Sequence, residues 1–272
     1  MARSAPLNLA RKERLRTAVR ELGSAVIAYS GGVDSAVVAA VAQRELGAGA
    51  LAVTGVSPSL ARGELEAAQS LAARIGIRHE TIATREFDNP AYRANPRNRC
   101  FYCKEELYGR LLAIARERGH AFVADGFNAD DGTSPLDVRP GRAAALEFGV
   151  RSPLADAGMT KDDVRALARE FELPVWDKPA TPCLSSRVPH GTAIETADLR
   201  RIDLAEQYLR ASGFAVVRVR HFGDTARVEV PIPDIERLQA SWPQVERALC
   251  DAGYRGAEID PRGYRTGSLN EA

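Results

Sequence analysis

Residues 28–38, AYSGGVDSAVV, constrain the fold of this chain more than any other stretch. An apolar, β-rich run (SAVIAYS, 24–30) meets two glycines and then the helical AVVAAVAQREL (36–46). Paired glycines let a backbone turn tightly and approach an anion, and the following helix aims its N-terminal N–H groups and positive dipole end at the same point. A strand that passes into a helix through such a loop belongs in a parallel sheet covered by helices, and the flanking sequence keeps that rhythm. An amphipathic helix over 11–22 comes first. Strands at 50–56, 77–83 and 121–127 then alternate with helices at 62–76 and 103–119, the former ending at Gly76. TKDDVRALAREFELP (160–174) adds a helix with a capping box from Thr160 to Asp163, stopped before Pro174. The expected fold class is α/β with a parallel sheet.

The rhythm changes after about residue 190. A long amphipathic helix (195–214) leads into AVVRVRHFGDTARVEVP (215–231), a hairpin turning at Gly223-Asp224, and then into a helix broken by Pro243. This αββα run predicts a smaller second domain, with the division placed at 1–188 and 189–272.

A length of 272 residues suits one large or two modest domains. Thirty-seven basic residues against 36 acidic ones leave a formal charge of +1, and no basic block is present, so a long nucleic acid is not an expected partner. The first 22 residues lack the apolar core of a secretory signal, and no apolar run is long enough to span a bilayer. Four unevenly spaced cysteines in such a chain point to a reducing compartment, and the expected location is the cytoplasm.

The glycine loop is not a Walker A sequence, because no G-K-[ST] follows, nor is it G-x-G-x-x-G. Taken alone it also fits an ordinary strand–turn–helix connection. It resembles the S-G-G-x-D-S signature of the PP-loop ATP pyrophosphatase superfamily, complete here as Ser30, Gly31, Gly32, Asp34 and Ser35. ADGFNADD (124–131), with Gly126, resembles the superfamily's D-G-x-N-x-D-D segment. The resemblance implies Mg2+-dependent ATP binding at these residues, cleavage between the α- and β-phosphates, and adenylation of a carbonyl oxygen.

Cys100 and Cys103, in NRCFYCKEEL, form a C-x-x-C, and Cys183 lies in KPATPCLSSRVPHGT. By residue type alone the pair fits a zinc corner completed by Cys183 and His190, an iron–sulfur anchor, or thiols packed on a helix. Cys250, in VERALCDAG, reads as a core residue on an apolar helical face. CLSSRVPHGT, AEQYLRASGF and VRVRHFGDTARVEV together resemble the LarE family over about residues 20–270. These are ATP-dependent sulfur transferases of nickel-pincer nucleotide biosynthesis. The resemblance implies adenylation of each carboxylate of pyridinium-3,5-biscarboxylic acid mononucleotide and its conversion to a thiocarboxylate. It further implies a 4Fe-4S cluster on Cys100, Cys103 and Cys183 that carries an extra sulfide on its open iron, and a homo-oligomer, with a hexamer among its assemblies.

Arg218 and Arg220 alternate with Val217 and Val219 on a strand. Two adjacent guanidiniums suit a phosphomonoester, and a solvated strand face is the plainer reading. The resemblance assigns them to substrate phosphate, with Glu229 beside them. It places Ser186 and Arg187 near the substrate carboxylate and phosphates, and makes Glu206, one helical turn after Asp203, a catalytic group beside Cys183. By position alone Glu206 is an exposed helical glutamate. Three other readings set the alternatives: a tRNA thiolase, a zinc-binding nucleotide sensor without catalysis, and an amidating synthetase fed by ammonia.

Overall fold

The structure, a computed structural model, describes residues 8–132 and 140–265, with Leu269; the first seven residues of the N-terminal stretch lie outside these. The chain divides into two compact units. The first takes in the chain up to Ser57, Gly63–Tyr92 and Asn98–Thr181; the second takes Pro58–Arg62, Arg93–Arg97 and the chain from Pro182 onward. The two short segments inserted into the second unit carry no sequence signal of their own.

In the first unit, α1 (Leu9–Arg20) leads to β1 (Ala25–Ala28), α2 (Val33–Leu46), β2 (Ala50–Val56), α3 (Glu64–Ile75) and β3 (Arg78–Ala83). A short α4 (Pro90–Arg93) and the long α5 (Arg99–Arg118) precede β4 (Phe122–Ala124), and α6 (Pro140–Glu147), α7 (Pro153–Asp156) and α8 (Lys161–Glu170) follow. The strands form one sheet in the order β3-β2-β1-β4, parallel throughout, as the alternation of strands and helices requires. Successive residues of β1 face opposite sides, and both sides are dry. Ile27 packs in a core with Leu15, Val37 and Leu167, whereas Val26 packs in another with Leu111, Tyr108 and Val123. The capping box of α8 is formed: Thr160 accepts from the Asp163 N–H while Asp163 accepts from the Thr160 N–H.

Several boundaries differ from expectation. Helix α5 begins at Arg99, so Cys100 lies in its first turn and Cys103 at the start of its second. β4 stops at Ala124, whose outer edge makes a single parallel bridge to Arg151: the Arg151 N–H bonds the Val123 carbonyl and the Asp125 N–H bonds the Arg151 carbonyl, both at 2.9 Å.

In the second unit, α9 (Thr196–Ala211) precedes β5 (Arg218–Phe222) and β6 (Thr225–Glu229), which pair antiparallel about Gly223 at φ 64°. The expected broken helix is α10 (Ile235–Ala240) followed by α11 (Trp242–Asp251), which starts with Pro243 in its first turn, where a missing N–H costs nothing. The αββα expectation is incomplete. The helices are a crossover to a further strand, β7 (Gly256–Ile259), which pairs parallel with β6. Leu209, Phe214, Val217, Val219, Val228, Leu238 and Leu249 fill the core beneath this sheet.

Three expectations about burial are corrected. Cys250 is exposed: Val245 and Leu249 form the core-facing stripe of α11, and Cys250 lies one residue, or about 100°, further round. Arg218 and Arg220 are each only 6 % exposed, so β5 has no solvated face there. Glu206 is fully buried in α9, where an exposed glutamate was the reading from position.

Candidate active site

The glycine loop joins β1 to α2 and is built for close approach. Gly31 has φ +72°, and a Cβ there would stand 2.9 Å from the Ala68 Cβ, so no other residue fits without movement. Gly32 is the N-cap of α2 and offers no side chain to the first-turn N–H groups, which leaves them to an incoming acceptor. Ser35 fixes the loop from inside: its Oγ accepts from the Ser30 N–H at 3.2 Å and donates to the Gly32 carbonyl at 3.1 Å.

The 124–131 segment is anchored against this helix start. A Cβ at Gly126 would lie 2.8 Å from the Ser35 nitrogen and 3.1 Å from the Asp34 carbonyl carbon, a contact backbone cannot relieve. Asp125, 3 % exposed, accepts from the Tyr108 hydroxyl and the Ser152 hydroxyl, both at 2.8 Å. Burial, and then the charge of Asp125, push the Tyr108 phenol well above its ordinary pKa, so it stays a donor. The Asn128 Nδ2 donates to Asp34 at 3.2 Å, and the Lys161 ammonium pairs with the other Asp34 oxygen. The Lys161 N–H, at the first residue of α8, bonds Asp130 at 2.7 Å. Lys161 escaped the sequence reading; its signal was the capping box that starts α8 beside it.

In the second unit, Arg187 and Glu206 are fully buried and paired in fork geometry, Nε to Oε1 at 2.8 Å and Nη2 to Oε2 at 2.9 Å. Glu206 also accepts from the Arg210 guanidinium and, at 3.1 Å, from the Val219 N–H. Burial alone would raise its pKa; Arg187 and Arg210 outweigh that and hold it below the usual carboxylate range. Four donors fill the carboxylate, so Glu206 has no lone pair left to take a substrate proton. The remaining Arg187 nitrogen, Nη1, donates to the Pro182 carbonyl at 2.6 Å, the Cys183 carbonyl at 3.1 Å and the Ser186 hydroxyl at 2.9 Å. Arg187 thus ties the segment bearing Cys183 to α9, and the Cys183 thiol stands exposed at the start of the 3-10 turn Leu184–Arg187.

Further ties hold this turn. Arg220 donates to the Ser186 carbonyl at 3.0 Å and to Glu229 at 2.8 Å. Ser185 and Ser59 hydroxyls meet at 2.9 Å, and the Leu184 N–H bonds the Ser59 carbonyl at 2.8 Å. Asn95, buried at φ 53°, donates to the carbonyls of Pro189 at 2.8 Å and Thr192 at 3.0 Å. Arg218 lies over the Tyr264 ring, and burial, followed by the positive charge of Arg187, lowers its pKa. The structure therefore brings Ser186, Arg187, Glu206, Arg220 and Glu229 into one connected network. Cys100 and Cys103, three residues apart, share one face of α5. Among the described residues, no three His, Cys, Asp or Glu side chains gather into a set able to hold a metal ion.

The asparagine synthase family model matches residues 9–97. An uncharacterized protein of Synechocystis sp. is 46 % identical, over 95 % of this chain and 96 % of its own length. The pyridinium-3,5-bisthiocarboxylic acid mononucleotide synthase of Lactiplantibacillus plantarum is 36 % identical, over 96 % of this chain and 94 % of its own. A tRNA-specific 2-thiouridylase of Acidiphilium cryptum is 29 % identical, over 88 % of this chain and 77 % of its own. No helix among the described residues is long and apolar enough to cross a membrane. With a complete glycine loop on a parallel sheet and a likeness that runs nearly end to end, the chain belongs to the LarE family of the PP-loop superfamily.

Proposed function

We propose that this chain is an ATP-dependent sulfur transferase acting on pyridinium-3,5-biscarboxylic acid mononucleotide. The observation that carries the reading is the loop from Ser30 to Ser35 at the N-terminus of α2, where Gly31 in the loop and Gly126 packed against it both have no room for a Cβ. Such a cradle suits pyrophosphate held by backbone N–H groups. Asp34 supplies hard oxygen donors of the kind Mg2+ takes, and Lys161, at its side, supplies charge for the phosphates. A carboxylate oxygen of the substrate attacks the α-phosphorus, the bond to the bridging oxygen breaks, and pyrophosphate leaves. A sulfur nucleophile then adds to the acyl carbon and AMP departs, leaving a thiocarboxylate.

Arg218 and Arg220 take the substrate's phosphate in this reading. Arg218 is buried beside the positive Arg187, and an anion would relieve that crowding. Ser186 stands near the carboxylate, with its hydroxyl oriented by Arg187. Glu206 and Glu229 orient guanidiniums, and Glu206, filled by four donors, is not left free to take a proton. Cys100 and Cys103 share a helical face, and with the exposed Cys183 they have the donor chemistry of a 4Fe-4S cluster. When bound, such a cluster supplies an open iron on which sulfide is carried. The same reading includes a cytoplasmic homo-oligomer.

The test is anaerobic incubation with Mg·ATP and the biscarboxylated mononucleotide, reading pyrophosphate release and oxygen-to-sulfur exchange by mass spectrometry. Acceptor-dependent pyrophosphate release is expected. Stoichiometric zinc without iron in the anaerobically purified protein would overturn the cluster, and tight, salt-sensitive tRNA binding would replace the acceptor with RNA.

A further inference from the structure

A cleft of about 350 Å3 opens in the first unit beside α5, and it shares no lining residue with the glycine loop or the cysteines. One wall is the side of α5 that carries Tyr102, Glu105, Glu106 and Arg110; Phe148 and the turn Glu86–Asp88 form the others. Glu86 lines the cleft although only 2 % of it is exposed, and its Oε2 has no hydrogen-bond partner among the described residues. Native proteins rarely leave a buried carboxylate oxygen without a donor, because the lost hydration is not replaced.

The neighbouring carboxylates divide into one that is satisfied and one that is not. Glu106 accepts from the Arg110 Nε at 2.5 Å and from the Arg85 N–H at 2.8 Å. Glu105, half-buried, enters no ion pair among the described residues. Arg85, exposed at the rim, is the remaining lining cation once Arg110 is paired. A carboxylate accepts only, so a ligand complementary to Glu86 must bring N–H donors. Tyr102 and Phe148 add aromatic walls, which favour a hydrocarbon body and a positive head over an anion.

We propose that this cleft binds a small organic ammonium ion, its N–H groups donating to Glu86, its charge balanced by Glu105 and its apolar part lying between Tyr102 and Phe148. The site is independent of the sulfur-transfer reading. Benzylamine is the probe, with benzyl alcohol and benzoate as neutral and anionic counterparts, titrated into the full-length protein by ligand-observed NMR and calorimetry. Saturable benzylamine binding is expected, with both counterparts about tenfold weaker or more, the worth of a charged hydrogen bond. Glu86→Gln is expected to weaken benzylamine by a similar factor. Gly109→Leu provides a second arm. Gly109 lines the cleft inside α5, where a Cβ meets only the Phe148 Cε1 at 3.7 Å, and replacing a mid-helix glycine favours the helix while the longer side chain fills the cleft. That variant should stay folded by circular dichroism and lose binding. No saturable benzylamine binding, equal binding of benzyl alcohol, or unchanged binding to folded Gly109→Leu would overturn the proposal.

Discussion

Replacing Arg187 by methionine tests whether the buried pair with Glu206 holds the second unit together. The substitution keeps most of the side-chain volume and removes both fork hydrogen bonds, at 2.8 and 2.9 Å, together with the links to the Pro182 and Cys183 carbonyls. Glu206 would keep two of its four donors, Arg210 and the Val219 N–H, while remaining out of water. Hydrogen bonds to charged groups contribute roughly 1.5–3 kcal/mol each, so two lost bonds cost about 3–6 kcal/mol. Breaking one side of a buried ion pair costs about 3–5 kcal/mol by direct comparison, which agrees. Urea unfolding is the assay. Trp242 packs against the core of the second unit, so its emission in a Trp176→Phe background reports that unit alone. Adding Glu206→Gln to Arg187→Met removes the stranded charge, so the double variant should be more stable than the sum of the singles by about 1–3 kcal/mol. A single-variant cost below about 1 kcal/mol, or strict additivity, would refute the network.

Other consequences follow from the same geometry. Gly126→Ala drives a Cβ against the α2 backbone, so it should cost about 1–3 kcal/mol and reduce ATP-dependent pyrophosphate release more than tenfold, read by a coupled phosphate assay. The Glu206 pKa is lowered in the folded state, so its stabilisation is present above the unfolded carboxylate value of roughly 4.3 and disappears as pH falls through the folded value. Urea midpoints measured from pH 6 down to pH 2 should therefore fall less steeply in Glu206→Gln than in the wild type. Cys250→Ser, at an exposed position, should change stability by less than about 0.5 kcal/mol; on the proposed cluster it should also leave iron content unaltered, whereas Cys100→Ala should lower it.

What could be read from sequence was what is local. The glycine loop is six consecutive residues that run from just past a strand into the first turn of a helix, so turn chemistry and helix-end electrostatics suffice to recognise it. The capping box of α8 and the Gly223 turn are likewise written within four residues each. The network around Arg187 is not local. Its members lie on the 3-10 turn, on α9 and on β5, and each charged residue taken singly has the composition of a solvated surface. Nothing in the pattern separates Glu206, fully buried, from any other helical glutamate until the facing Arg187 is known. β7 was missed for a related reason: GAEI is half-exposed, short and weakly alternating, and its strand identity comes from pairing with β6.

The composition of the second unit's interior bears on why the network exists. Its apolar core is modest, yet two guanidinium–carboxylate pairs, Arg187–Glu206 and Arg220–Glu229, are buried beside it. Buried pairs seldom improve stability over apolar residues of similar size, because desolvation offsets most of the attraction. Apolar replacements would pack, but they could not hold carbonyls. Arg187 and Arg220 between them grip the backbone oxygens of Pro182, Cys183 and Ser186, three carbonyls within five residues of chain around one exposed thiol. A loop fixed through its carbonyls keeps its side chains available, so Cys183 and the Ser186 hydroxyl are positioned without being covered. The ion pairs are best understood as the fixed frame of that loop, with Glu206 as its central acceptor. On that account Glu206→Gln should spare a substantial part of activity with an unshifted pH profile, because the amide oxygen can still accept from Arg187, whereas Glu206→Ala should lose activity by releasing the frame. Equal losses in the two variants, or a Glu206→Gln profile that loses its acid limb, would return the carboxylate to a proton-transfer role.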